Sequence, residues 1–156
     1  MNKLNSLKEQ LINMIPQLKK QPDKLVIFAD EGTIKGEFQK SMSWQYEWKT
    51  IIIIEDFHGH PDTLFLPIVL WCAKNQRDLK RDDIKFIIDH LDNDRSHIRI
   101  ELPTDQRVIV TTDENGNYTT TNPTEPSPDW EGDFGVLTKT TATDIGDNVD
   151  EFGQLP

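Results

Sequence analysis

Leu4, Leu7, Leu11, Ile12, Ile15 and Leu18 recur at steps of three and four residues, the period of one buried face of an α-helix. Ser6 stands three residues ahead of Glu9, the spacing of a capping box, so the pattern predicts an amphipathic helix from about residue 6 to residue 20. Pro22 ends it, because proline has no N–H for the helical ladder and pushes the residue before it out of helical dihedrals. "KLVIFADEG" then reads as a strand, "DEGT" as a turn and "IKGEF" as a weaker strand.

The stretch "SMSWQYEWKTIIIIEDFHGH", residues 41–60, changes character along its length. β-branched and aromatic residues dominate it from Met42 to Glu55, with no glycine or proline to interrupt, and this predicts one long strand. The two-residue period places Met42, Trp44, Tyr46, Trp48, Thr50, Ile52 and Ile54 on one apolar face. The other face is polar through Ser43, Gln45, Glu47 and Lys49 and turns apolar at Ile51 and Ile53, so the strand is expected to run from a half-exposed position into a region covered on both sides. Fourteen extended residues span about 46 Å, more than a small core covers, so part of the strand should project.

After "GHPD", Pro61 and Asp62 suit the first turn of a helix whose apolar side carries Leu64, Phe65, Ile68, Trp71 and Cys72, bent at Pro67. "DIKFIIDHLD" and "SHIRIEL" show strand alternation, and "RVIVTTDENGNYTTT" reads as a hairpin around Asn115 and Gly116. Together the elements predict an α+β domain with a mostly antiparallel sheet, an N-terminal helix and one central helix on one face. Beyond "NPTEPSPDW" no hydrophobic periodicity follows, which divides the chain into a domain over residues 1–121 and a proline-containing acidic linker and tail over 122–156.

A length of 156 residues fits one core. Acids outnumber bases 27 to 17, and the segment 122–156 holds eight acids and one base, so it carries −7 of the net −10. That balance argues against direct nucleic-acid binding and against an anionic membrane surface. The single cysteine, Cys72, lies in the apolar run "PIVLWCAK", as a buried thiol in the cytoplasm would. No apolar run reaches membrane-spanning length, and the N-terminus has no hydrophobic signal core.

His58 and His60 flank Gly59, with Glu55 and Asp56 close by. A zinc site needs three or four converging ligands, and the other histidines, His90 and His97, fall on predicted strands at unrelated spacing, so no metal or other cofactor is expected. "DNDRS" at residues 92–96 fails as a calcium loop, because its sixth position is His97 and its twelfth is Pro103. No glycine-rich phosphate loop, nucleophile elbow or HExxH helix occurs, and no catalytic constellation is assigned. The aromatic stripe of Trp44, Tyr46 and Trp48, with Met42 at its end, is the candidate for core or for a subunit interface.

The succession "SLKEQLINMIPQLKKQPDKLVIFADEGTI", "SMSWQYEWKTIIIIEDFHGHPDTLFLPIVLWCAKNQ" and "IELPTDQRVIV" resembles the tail completion protein R family of contractile-tailed temperate phages and their prophage relatives, over about residues 6–112. The resemblance implies a non-enzymatic, tail-terminator-like virion protein that finishes the tail at its head-proximal end and supports head–tail joining. It would assemble in the host cytoplasm and end in the tail or neck of the virion. By analogy with tail terminators it implies a homo-oligomeric ring, six-fold in that analogy, whose partners are tail tube or sheath proteins and head–neck connector proteins. Two readings of other classes stay open: an adaptor or inhibitor that binds a host protein through the acidic tail, and a small metal-dependent enzyme in which His58, His60, Glu55 or Asp56 converge.

Overall fold

The computed structural model describes residues 2–76, 79 and 83–124. Helix α1 spans Asn2–Met14 and a short α2 spans Pro16–Lys20, followed by one 3₁₀ turn at Pro22–Lys24. Strand β1 is Leu25–Lys35, β2 Trp44–His58, α3 Asp62–Asn75, β3 Lys85–His90, β4 Arg95–Thr112 and β5 Tyr118–Thr121. The sheet order is β1-β2-β4-β3, with β5 pairing β4 beyond β3, and every pairing is antiparallel. The expected α+β architecture is therefore the one observed.

The helices pack on the face of the sheet that carries the even positions of β2 and β4. Leu7, Leu11, Ile15 and Leu18 meet Leu64, Ile68, Trp71 and Cys72 of α3 over Ile52, Ile54, Ile98, Ile100 and Leu102. The helical period of the first segment is real, but it is not one helix. Ile15 adopts an extended conformation (φ −109°, ψ 106°) ahead of Pro16, as the residue before proline must. Ser6 does not cap either, because α1 begins four residues earlier. Its hydroxyl instead accepts the Trp71 indole N–H at 3.0 Å, tying α1 to α3.

Two further expectations change. "DEGT" is not a turn: β1 runs through it, and a one-residue bulge shifts the register between Asp30 and Thr33. Glu31 sits in the left-handed region (φ 50°), where a side chain is strained, and its carboxylate meets Lys49 at 3.0 Å. A second bulge between Ile54 and Phe57 puts Asp56 at φ 51°, held by Lys24 at 2.9 Å. The pairing with Lys24 keeps the Asp56 carboxyl below its ordinary value and lifts the Lys24 ammonium.

Among the described residues, helices cover the apolar half of β2 on one side only. Of its four isoleucines, Ile52 and Ile54 lie under the helices; Ile51, buried on the opposite face, has Phe28 and Glu101 as cross-strand neighbours. "SHIRIEL" and "RVIV" are one strand, 18 residues long, about 60 Å of extended chain. The outer ends of β1, β2 and β4, with β5, extend past the helices as a β-arm, so the projecting part expected from the length of β2 is shared by its neighbours.

The β3–β4 turn depends on Asp92, whose carboxylate accepts the backbone N–H of Asp94 (2.9 Å) and Arg95 (2.8 Å) and the Arg95 Nε–H (2.7 Å). The Asp94 N–H first, then the Arg95 side chain, hold this carboxyl down to about 2 from an ordinary 3.8. A depressed carboxyl stabilises the fold above its unfolded value and loses that contribution as pH falls through the folded one. Asp92→Asn is thus expected to lower the melting temperature at neutral pH, with the gap to the parent closing from about pH 4 to 2; a gap that stays constant across that range would rule the charge out.

Candidate functional site

The arm carries the aromatic residues singled out from the sequence. Trp48 lies at its base and is buried, donating its indole N–H to Thr50 Oγ1 at 2.8 Å. Thr50 and Thr104 join hydroxyls at 2.8 Å, and Thr104 donates to the Leu102 carbonyl at 3.2 Å. Because Thr104 spends its one proton on that carbonyl, it accepts from Thr50, and the relay from Trp48 to the β4 backbone is fully paired. Trp48 is therefore part of the core where the helices end.

Further out, Trp44, Tyr46 and Trp48 form an edge-on row, with ring centroids 5.8 and 6.3 Å apart. Trp44 and Tyr46 are half-buried. Met42 falls before the strand begins and is 57% exposed. Beside it the arm's end presents Ile34, Phe38 and Tyr118, all exposed. The sequence pattern does not single these three out: Ile34 and Phe38 fall in "IKGEF" and Tyr118 in the hairpin, all as ordinary strand positions, and Phe38 lies after β1 has ended. Among the described residues, two buried polar atoms on this face lack partners, Trp44 Nε1 and Gln106 Oε1. Gln106 stands opposite Tyr46 in the register, so the orphaned donor and acceptor belong to neighbouring rows.

One side of β4 has no strand partner between Glu101, where β3 stops, and Ile109, where β5 starts, among the described residues. Amide side chains fill part of the gap. Gln76, buried at the end of α3, accepts the Asp105 N–H at 3.2 Å and donates to Asp105 Oδ1 at 2.7 Å. Lys3 donates to the same Gln76 at 3.1 Å, and Gln45 reaches the other Asp105 oxygen at 2.8 Å. Asn122 donates to the Arg107 carbonyl and accepts from Asn2, so the chain after β5 is fastened to the start of α1. Pro103 lies two residues before Asp105, and by strand alternation its missing N–H faces the same gap, where the β2 ladder does not need it.

The histidine cluster does not converge. His58 Nδ1 meets Asp94 at 2.9 Å, while Gln17 brackets the His58 backbone, accepting its N–H at 3.0 Å and donating to its carbonyl at 2.8 Å. His60 Nδ1 accepts the Asp62 N–H at 3.2 Å at the start of α3, Glu55 is exposed, and Asp56 is held by Lys24. Among the described residues no three His, Cys, Asp or Glu side chains gather as a metal site. None of the described helices is long and apolar enough to cross a membrane.

The profile of the P2 phage tail completion protein R family matches residues 1–126. The chain belongs to that family. It is 33% identical over 135 residues to tail completion protein R of Escherichia phage P2, covering 82% of this chain and 86% of that protein. No solved structure matches. The family match runs past the residues that carried the resemblance in the sequence, and membership brings a structural role in phage tail assembly. The acidic tail assigned to 122–156 lies, after Thr124, outside the described residues.

Trp48→Ala is expected to cost about 3 to 5 kcal/mol in urea unfolding, the usual range for emptying a buried aromatic site. Thr50→Val, which keeps the shape but breaks the relay, should cost about 1 to 3 kcal/mol by stranding the Trp48 N–H. Gln106→Met removes an acceptor that has no donor and should leave stability unchanged or raise it; a loss comparable to that of Thr50→Val would show that Oε1 is paired in solution.

Proposed function

We propose that this chain closes the head-proximal end of a phage tail as a ring of identical subunits and supports the joining of tail to head. The family membership carries the reading, and the β-arm gives it a surface. Trp44 and Tyr46, the exposed Met42 and the apolar end of the arm form one contact region for a tail tube or sheath protein or for an adjacent subunit. Exposed large apolar side chains gathered at one end of a sheet mark a surface that another protein covers. On this reading the opposite side of the ring meets the head–neck connector proteins, and the protein acts by contact, as a structural component and not as an enzyme.

The division at 121/122 is proposed on the same footing. The family match ends at residue 126, leaving most of the acidic segment outside it, so ring formation is assigned to the domain. The segment's charge of −7 repels neighbouring copies at low ionic strength and less at higher salt, which favours assembly on the end of the tube over assembly in free solution.

A phage or prophage with an early stop codon in this gene is expected to yield filled heads and tails that do not join, and added purified protein should restore joining in the lysate. Infectious particles from the mutant, or missing heads in place of unjoined ones, would sink the reading. Protein truncated after residue 124 should still restore joining; if it fails, the acidic segment is the working part.

A further inference from the structure

The two outer strands of the main sheet, β1 and β3, each have one edge that no described strand pairs, and each exposes large apolar side chains: Val26 (46%) and Phe28 (39%) on β1, Phe86 (55%) and Ile87 (59%) on β3. Long unpaired edges with apolar side chains are templates for another strand. Because all pairings are antiparallel in the order β1-β2-β4-β3, β1 and β3 run in opposite directions. Sheets of two copies laid side by side with the same face toward the helices therefore bring β3 of one against β1 of the next as a further antiparallel pair.

From this we infer that the β3 edge of one subunit pairs with the β1 edge of a second copy, continuing the sheet from subunit to subunit; the inference rests on the ring reading and names its contact. The register that sets Ile87 opposite Phe28 satisfies both faces. On the face away from the helices it places Lys85 opposite Asp30, an opposite-charge pair beside an apolar one. On the helix face it puts Phe86, which already leans on Phe65 at 4.9 Å between centroids, opposite Ala29, and Ile88 opposite Ile27. A groove of about 460 Å³ lined by Ile84, Lys85, Phe86, Ile87, Arg99 and Glu101 lies along β3 and the adjoining part of β4, and in this register the incoming Phe28 packs at its β3 side. The contact is heterologous, one edge against a different edge, which generates a ring or helix and not a closed dimer.

Six paired residues and their side chains make a small contact by the standard of stable interfaces, on the order of 1,200 to 2,000 Å², so the test uses concentrated full-length protein and protein bound to tail ends. Phe28→Cys and Ile87→Cys are made as separate variants. Native Cys72 does not compete, being buried with its thiol pushed up to about 12. Under oxidation the mixture is expected to form a disulfide dimer while each variant alone does not, and a chain carrying both should give a ladder of covalent oligomers. A dimer from Phe28→Cys alone would show two β1 edges meeting and overturn the inference. So would the absence of any bond in a mixture that restores head–tail joining, a result that leaves the proposed function standing. A bond that forms in a mixture unable to restore joining supports the contact and counts against the function.

Charge reversal gives an independent reading. Asp30→Lys and Lys85→Asp should each weaken association by about fivefold, and the double variant should recover it; a double variant no better than the singles counts against the register.

Discussion

The antiparallel ladder between β2 and β4, running from Trp44 opposite Val108 to His58 opposite Arg95, is the constraint on which everything else hangs. It is longer than the helices can cover. Where α1 and α3 lie over it, the even positions carry isoleucine and leucine and the site is a sealed core. Past Trp48 the same strands carry tryptophan and tyrosine, residues that bury a large apolar body and keep a polar tip. One pair of strands thus supplies both the stabilising core and the exposed arm, and damage to the ladder at Thr50 or Thr104 reaches both.

A ladder that outlasts its cover leaves backbone groups to satisfy. This chain uses amides for much of that work. Gln17 brackets His58 as a neighbouring strand would, Gln76 accepts the Asp105 N–H, and Asn122 donates to the Arg107 carbonyl. A Gln or Asn side chain presents a donor and an acceptor in nearly the geometry of a peptide group, so it can end a sheet without adding a strand. Pro103 fits the same economy by facing its missing donor into the gap.

Much of this was legible in the sequence because periodicity reports the local environment. The alternation through Trp44 to Ile54 gave the face that meets the helices, and the three- and four-step leucines gave the buried side of α1 and α2. Losses came where one residue does two jobs. Pro16 leaves the helical spacing intact while breaking the helix, and Ser6 looks like a cap but is wanted by Trp71. "DEG" carries turn chemistry, yet the Glu31–Lys49 pair holds it as a bulge within a strand. Ile51 and Ile53 were read as covered because they are apolar, but burial by cross-strand neighbours and burial by a second layer leave the same mark on a sequence. The contact region was half legible: aromatic residues signalled it, whereas Phe38 and Tyr118 become meaningful only when the hairpins bring them to one end.

The bulge at Glu31 and Gly32 sets a frame. Up to Asp30, odd positions of β1 face the helices; after the extra residue, even positions do, so that Ile34 shares a row with Tyr46 and Lys35 falls opposite Gln45. The extra residue works like a phase shift in a repeating signal. Were the same residues threaded without the bulge, the strand beyond would present Lys35 to the aromatic row and Ile34 to the charged side while its composition stayed unchanged. The arm's chemical identity is therefore stored in the place where the strand slips as much as in the kinds of its residues, and deleting the one extra residue would erase the bulge while leaving Ile34 in the aromatic row.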